Sequence, residues 1–212
     1  MRLRALAKIN LGLDILRKRE DGYHEVRMIM QTIQMYDVLE MKRVRKPGIS
    51  LSVNYSYIPN DERNLVYKAA KLLMDEFQVK GGVDIHLEKF IPVAAGMAGG
   101  SSDAAAALVG INRMFQLGLT KRQLMERGVQ IGADVPYCVM RGTALAEGIG
   151  EKLTSLPGVP MCYVLIGKPG INVSTKFVYG NLHLDEVTEH PDIDGMVEAI
   201  RNHDLYGITD RM

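Results

Sequence analysis

The segment Pro92–Leu108, PVAAGMAGGSSDAAAAL, places a run of small residues directly before an alanine-rich stretch, which predicts a loop that opens into a helix. Gly96, Gly99 and Gly100 let the backbone approach a ligand because no Cβ atom stands in the way. The first N–H groups of such a helix have no acceptor within the helix, and they lie at the positive end of its dipole. The segment therefore predicts a binding site for phosphate or another anion.

The same segment has a simpler interpretation as a flexible turn before a buried helix, because a glycine-rich pattern without a matching context is a weak signal. Ser101 and Ser102 supply hydroxyl groups that can cap the helix or contact phosphate. Two common phosphate motifs are excluded, since no Gly-Lys-Ser/Thr closes the loop and no G-x-G-x-x-G occurs. The loop belongs to another class of phosphate site.

The charge balance and the hydropathy of the chain argue against nucleic acids and membranes as binding partners. Lys plus Arg total 26 against 25 Asp plus Glu among 212 residues, so the chain has no overall basic field. No stretch is long and apolar enough to span a bilayer, and Lys8, Asn10 and Asp14 interrupt the apolar core that a signal peptide would need. Cys138 and Cys162 lie in apolar surroundings without metal-ligand spacing, which predicts buried, inert thiols in a cytosolic protein.

Hydrophobic periodicity predicts strands in the first third of the chain and helices in the middle, which is typical of the α+β class. The helix after residue 64 and the helix capped by Thr120 carry the clearest signals. Strands are expected over 3–16, 24–44, 49–53, 83–90 and the apolar run MCYVLIGKPG (161–170), and further helices after the glycine loop, near Ser174–Tyr179 and over 193–203. The seam between two domains is expected near Leu156–Val159.

Two charged residues fit the needs of phosphoryl transfer, which requires a cation near the transferred group and a residue that positions the acceptor hydroxyl. Lys8 lies between apolar residues in ALAKINLGL, an unusual place for a charge without a partner, although a surface lysine is the commoner outcome. Asp134 lies in IGADVPY, where an acidic side chain can equally cap a turn. Taken alone, Lys8 is better explained as a surface lysine and Asp134 as a residue that caps a turn.

Three segments, AKINLGLDILRKREDGYHEV, PVAAGMAGGSSDAAAAL and GADVPYCVMRGTALAEGIGE, closely resemble in this order the signature segments of the GHMP kinase superfamily. The resemblance covers the whole chain. It implies the two-domain fold of that family, with a ribosomal protein S5 domain 2-like, ATP-binding and catalytic domain at 1–156 and the beginning of a C-terminal α+β domain at 157–212. Family members continue further and carry another glycine-rich segment, so we expect this chain to lack a C-terminal portion.

The resemblance also implies an activity, namely ATP-dependent phosphorylation of an alcohol, with Mg²⁺ accompanying ATP and no metal ligands assigned on the protein. The DGYHE segment is similar to the branch whose acceptor is a cytidine diphosphate-linked methylerythritol, phosphorylated on its 2-hydroxyl in the non-mevalonate route to isoprenoids. Two alternatives stay open at this point: another GHMP small-molecule kinase, or a nucleotide-binding module that is inactive through truncation. The oligomeric state is left open.

Motif by motif, the resemblance assigns roles to individual positions. It makes Asp134 the residue that accepts or orients the hydroxyl proton, and Lys8 the cation that keeps Asp134 ionised and offsets charge on the moving phosphoryl. Substrate contacts are implied for Asn10, Tyr23, His24 and Tyr179. ATP contacts are implied for Asn64, Lys89, Pro92, Val93, Ala94, Ala95, Gly96, Met97, Ala98, Gly99, Gly100, Ser101 and Ser102.

Three of these assignments come with qualifications. Asn64 can simply begin a helix and Lys89 can simply end a strand. Ala98 stands where many GHMP kinases have glycine, which predicts that this point of the loop does not need a positive φ.

Overall fold

The structure of the chain is a computed structural model that describes residues 1–171 and 175–212. Strands and helices alternate irregularly along it, as expected for an α+β fold. In chain order the elements are β1 (Arg2–Lys18), β2 (His24–Val44), β3 (Gly48–Val53), α1 (Leu65–Glu76), β4 (Gly82–Glu88), α2 (Gly99–Met114), α3 (Lys121–Gly128), α4 (Val135–Met140), β5 (Thr143–Gly148), β6 (Lys152–Leu156), α5 (Thr175–Gly180), a 3₁₀ turn (Leu184–Glu186), α6 (Ile193–Arg201) and α7 (Leu205–Thr209).

Contacts between residues in space divide the chain into two compact units, each made of three separate segments. The first unit comprises residues 1–7, 33–93 and 98–140, and the second comprises 8–32, 94–97 and 141–212. The long strands β1 and β2 contribute residues to both units. The domain boundary expected at residue 156 stays a prediction.

In the first unit, β4 lies between β3 and the C-terminal half of β2. It pairs in parallel with β3 from Gly48↔Gly82 onward and antiparallel with β2 from Val38↔Glu88 onward. The parallel pair needs a crossover connection, which α1 provides. The apolar–polar alternation of VDIHLE is confirmed, because its apolar side chains are buried while the intervening Asp84 and His86 are exposed.

The helices of the first unit begin where local capping chemistry favours it. Asn64 caps α1, since its side-chain oxygen accepts the Val66 N–H at 2.9 Å. Thr120 caps α3, as predicted, and the structure adds a capping box in which Gln123 takes part. Helix α2 is buried on nearly all sides, and Gly110 allows its close approach to a strand: an added Cβ there would lie 2.3 Å from Met41 Sδ. The small residues of this helix thus permit tight packing.

The second unit is built on β5, which pairs antiparallel with the N-terminal half of β2 (Val26↔Gly148 onward) and with β6 (Thr143↔Leu156 onward). Its core joins Leu11 of β1 and Ile29 of β2 to the apolar face of α6, including Met196, which is 0% exposed. Gly12 permits the close approach of β1 to α6, because a Cβ there would meet Ile193 Cδ1 at 2.9 Å.

Two sequence expectations are wrong in the stretch after β6. The run 161–170 forms no strand and is exposed along its length, with Met161, Tyr163 and Leu165 essentially fully exposed. Cys162 is therefore exposed, while Cys138 is buried as predicted. A strand needs a neighbouring strand to accept its backbone hydrogen bonds, and no described strand pairs with this run. High β-propensity alone does not supply that neighbour.

Helix α5 begins at Thr175, close to the helix expected near Ser174–Tyr179, although Ser174 lies outside the described residues. Among the helices of the described ranges, none combines the length and the apolar character needed to cross a membrane.

Candidate functional site

The N-terminus of α2, in the first unit, presents free backbone donors. The helical hydrogen bonds begin with Ser102 N–H, which donates to Ala98 C=O at 2.8 Å. The N–H groups of Gly99, Gly100 and Ser101 precede that bond, so they lack acceptors in the helix and are available to an anion.

The residue before α2 corrects one expectation. Ala98 adopts φ = 54°, in the left-handed region that glycine favours, so this point of the loop does require a positive φ. Neither serine caps the helix, which has no side-chain cap. Instead, the buried Ser102 hydroxyl donates to Leu6 C=O at 2.6 Å and fixes the start of α2 against β1.

The loop residues 94–97 belong to the second unit. Ala94 has φ = 54° and Gly96 has φ = 69°, so the loop holds two left-handed residues within three positions. A Cβ added at Gly96 would meet nothing within 4 Å, which means that the backbone there borders open space. The Met97 C=O accepts the Lys8 N–H at 3.2 Å and ties the loop to β1. Backbone strain of this kind is typical of ligand-binding loops.

Lys8 and Asn10 are brought together in the second unit. The Lys8 side chain is 6% exposed, and its Nζ donates to Asn10 Oδ1 at 3.0 Å. Burying an ammonium group is costly unless an anion or several acceptors compensate. The Asn10 amide oxygen compensates only weakly for the burial of the Lys8 ammonium group. Such a lysine is suited to bind an anionic group of a ligand.

Asp134 lies in the first unit at the start of α4, where its C=O accepts the Cys138 N–H at 3.0 Å. Its side chain is half-buried, and its carboxylate has no hydrogen-bond partner within the described part of the chain. The position therefore leaves both carboxylate oxygens available to a substrate hydroxyl.

Lys89 directly follows the last residue of β4, in agreement with the alternative that it ends a strand. Its ammonium group is buried between the carboxyl groups of Asp37 and Asp103. Nζ donates to Asp103 Oδ2 at 2.7 Å and also to Asp37. Asp37 accepts, in addition, the N–H groups of Phe90 and Ile91. Although burial lowers the pKa of Lys89, its charge interactions and hydrogen bonds with Asp103 and Asp37 outweigh burial and raise that pKa, so the lysine is cationic.

Asp103 has the most perturbed acidity in this cluster. Burial raises its pKa to about 8, and although Lys89 opposes the shift, the Asp37 carboxylate adds to it. Within the described residues its Oδ1 is buried without a hydrogen-bond partner. With a pKa of about 8, the Asp103 carboxyl group is mostly protonated at neutral pH. The cluster lies under α2, since a Cβ on Gly99 would be 3.0 Å from Lys89 Nζ.

Asn64 is also engaged within the protein. Besides capping α1, its Nδ2 donates to Pro59 C=O at 2.7 Å, and the residue is 8% exposed. The alternative that Asn64 begins a helix is confirmed.

The predicted acceptor residues lie in the second unit. The rings of His24 and Tyr179 are 5.1 Å apart at a tilt of 47°. Tyr23 is exposed, with its N–H donating to Asp21 Oδ1 at 3.1 Å. Tyr179 also lines a cleft with loop residues 94–96, so the structure brings one aromatic residue and the glycine loop to the same cavity.

Comparison with known proteins identifies the family. Residues 64–142 match the family described as "GHMP kinases N terminal domain". The 4-diphosphocytidyl-2-C-methyl-D-erythritol kinase of Lachnospira eligens is 57% identical over 212 residues, which are 100% of this chain and 74% of that protein. The kinase of the same name from Lachnoclostridium phytofermentans is 60% identical over 207 residues, 98% of this chain and 71% of that protein.

The chain belongs to the 4-diphosphocytidyl-2-C-methyl-D-erythritol kinase family. A crystal structure of 4-(cytidine 5'-diphospho)-2C-methyl-D-erythritol kinase agrees, with 32% identity, a TM-score of 0.79 and coverage of 95% of this chain and 72% of that chain. The phosphomevalonate kinase of Streptococcus pneumoniae, 10% identical at a TM-score of 0.68 over 100% of this chain and 76% of that chain, shares the fold alone. The predicted α+β class and GHMP kinase fold are thereby confirmed, and the chain is an ATP-dependent small-molecule kinase.

Sequence reasoning missed Asp37 and Asp103, the partners of Lys89. Each is a lone acidic residue in an otherwise apolar stretch, YDVL for Asp37 and SDAAAAL for Asp103. A charged residue in an apolar stretch indicates a buried partner, for Asp37 and Asp103 as for Lys8.

Proposed function

We propose that this chain transfers the terminal phosphoryl group of ATP to the 2-hydroxyl of 4-diphosphocytidyl-2-C-methyl-D-erythritol, in the non-mevalonate route to isoprenoid precursors. The observation that carries the proposal is the match over the whole chain to kinases named for that acceptor, at 57% and 60% identity. The cytosol as the site of the reaction is part of the proposal.

The glycine loop supports the proposed nucleotide site. The N–H groups at the start of α2 can donate to phosphate oxygens, and the helix dipole favours negative charge at that end. We assign Pro92–Ser102 to ATP, with Asn64 and Lys89 beside it. Because the side chains of Asn64 and Lys89 are occupied by contacts within the protein, their contribution is to hold the backbone that forms the site.

We assign the chemical step to Asp134 and Lys8. The available carboxylate of Asp134 would accept or orient the proton of the 2-hydroxyl, whose oxygen attacks the terminal phosphorus while the bond to ADP breaks in line. The buried ammonium of Lys8, held by Asn10, would offset negative charge on the transferred group. Both assignments rest on the motifs in which the residues lie and on their own surroundings.

In this proposal Mg²⁺ enters with ATP as part of the nucleotide substrate and would offset negative charge on the phosphates. In the described ranges, His, Cys, Asp and Glu side chains do not gather in threes as a metal site would require. We therefore assign no protein ligands to it.

The decisive experiment measures ADP release and product mass with ATP, Mg²⁺ and the cytidine diphosphate-linked acceptor. We expect acceptor-dependent ADP release, and a fall of about 10²- to 10⁴-fold in kcat for Asp134→Asn and for Lys8→Ala. ATP affinity by calorimetry should stay within a few-fold of wild type. Lys80→Ala, which removes an exposed lysine of the first unit, is the control for loss of one positive charge.

Two results would overturn the proposal or its mechanism. Wild-type protein that turns over mevalonate or homoserine but not the cytidine diphosphate-linked acceptor would indicate another GHMP activity, and ATP binding without any acceptor-dependent ADP release would indicate a binding module. Wild-type-like turnover in either variant would refute the catalytic assignment.

A further inference from the structure

The second unit contains an open cleft of about 560 Å³, a volume within the range of small-molecule sites. Its walls are loop residues 94–96, the irregular segment 166–171, and the helical residues Val178 and Tyr179. All of these belong to one compact unit. The cleft therefore joins the anion-binding loop, an aromatic residue and the irregular segment after β6.

The aromatic wall suits a flat base. The Tyr179 ring lies 5.1 Å from the His24 ring, so the two rings form a small aromatic surface with a hydrogen-bonding edge. At the loop wall, Gly96 has no Cβ, and a Cβ there would meet only open space. A ligand that places its base against the aromatic surface can therefore place an adjoining anionic group within the cleft, whose lining includes Lys168.

Lys168 lines the same cleft and brings a positive charge to it. Its ammonium group donates to two neutral acceptors, the C=O groups of Pro169 and Ile171, each at the long distance of 3.3 Å. Across the described ranges, no carboxylate forms an ion pair with it. An ammonium group held by weak neutral contacts beside an anion-binding loop is suited to an anionic ligand.

We propose that Lys168 binds the diphosphate of the acceptor's cytidine diphosphate group, and so fixes the acceptor in the cleft. We assign this anion to the acceptor and not to ATP because Tyr179, for which the family resemblance implies an acceptor contact, lines the same cleft as Lys168. The inference rests on the proposed function, since it names the contact that recognises the acceptor of that same reaction.

The test measures binding by calorimetry with cytidine 5'-diphosphate, cytidine and ADP as probes. Lys168→Ala should weaken cytidine 5'-diphosphate binding about tenfold and leave cytidine and ADP binding unchanged, because only the first probe presents a diphosphate at this cleft. Lys168→Arg keeps the charge and should restore most of the affinity. Lys80→Ala, an exposed lysine of the first unit, controls for net charge, and thermal melting of each variant controls for folding.

A kinetic measurement gives an independent signature. In Lys168→Ala the KM for the cytidine diphosphate-linked acceptor should rise about tenfold, while kcat and the KM for ATP change less than twofold. A residue that only supports the local fold would lower kcat or alter both KM values.

Three outcomes overturn the inference: no measurable binding of cytidine 5'-diphosphate by wild type, equal affinity in wild type and Lys168→Ala, or a larger loss of ADP affinity than of cytidine 5'-diphosphate affinity. Failure of the proposed function is a separate result. It would show as wild-type protein that binds cytidine 5'-diphosphate through Lys168 yet forms no phosphorylated acceptor.

Discussion

Replacing Asp103 by Asn should increase the stability of the protein relative to wild type progressively as pH rises. Asp103 is buried beside the Lys89 ammonium and the Asp37 carboxylate, and burial raises its pKa to about 8, against 3.8 for an ordinary aspartic acid. An asparagine has nearly the same shape and stays neutral at every pH. The substitution therefore removes one titration and leaves the packing of α2 in place.

The sign and size of the effect follow from proton linkage. A carboxyl group whose pKa is raised on folding stabilises the folded state fully below about pH 4, and that contribution is lost as pH rises towards 8. The loss amounts to about 1.4 kcal/mol per pH unit across that window. Between pH 5 and pH 7, wild type should thus lose about 2–3 kcal/mol relative to Asp103→Asn.

Urea unfolding of both proteins at pH 5, 6, 7 and 8 measures this difference. Carboxylates whose pKa is lowered by ion pairs, such as Asp61 and Glu76, affect both proteins equally and cancel in the comparison. Asp37→Asn is the contrasting control: the amide keeps one oxygen for the Phe90 and Ile91 N–H groups but places an NH2 donor against the buried Lys89 ammonium, so it should destabilise at every pH. A difference between wild type and Asp103→Asn that is constant from pH 5 to pH 8 would refute the neutral state of Asp103.

Two predictions concern packing in the separate units, both read by chemical unfolding. Gly110→Ala should cost about 1–3 kcal/mol because its Cβ would lie 2.3 Å from the buried Met41 Sδ, and stability at or above wild type would contradict that close approach. Met196→Ala should cost about 2–5 kcal/mol because Met196 is fully buried on α6. The exposed Glu198 on the same helix is the control and should tolerate alanine within about 0.5 kcal/mol. Equal effects at both positions would refute the assigned core face.

Elements defined by local chemistry could be predicted from the sequence. The Thr120 cap and the alternation of VDIHLE are confirmed, because a cap and an amphipathic period are properties of adjacent residues. The apolar run 161–170 was predicted wrongly because strand formation depends on a partner elsewhere in the chain, which local composition does not encode.

In the candidate site too, features set by adjacent residues could be predicted and features set by distant residues could not. The glycine loop was recognisable because its residues are contiguous, but the left-handed conformation of Ala98 was not, since alanine ordinarily avoids positive φ. The cluster of Asp37, Lys89 and Asp103 could not be predicted because its members are distant in sequence: Lys89 follows Asp37 by 52 residues and precedes Asp103 by 14. The catalytic roles of Lys8 and Asp134 came from motif resemblance and stay predictions.

The packing of β1 against α6 has a consequence for the order of synthesis. Leu11 emerges from the ribosome early, yet Ile193 and Met196, which cover it, follow about 180 residues later, or roughly 10–40 s at ordinary translation rates. During that interval the core around Leu11 lacks the part that α6 supplies and is open to chaperones or to other nascent chains. Slowing translation before α6 should therefore lower the yield of folded protein more than slowing it afterwards.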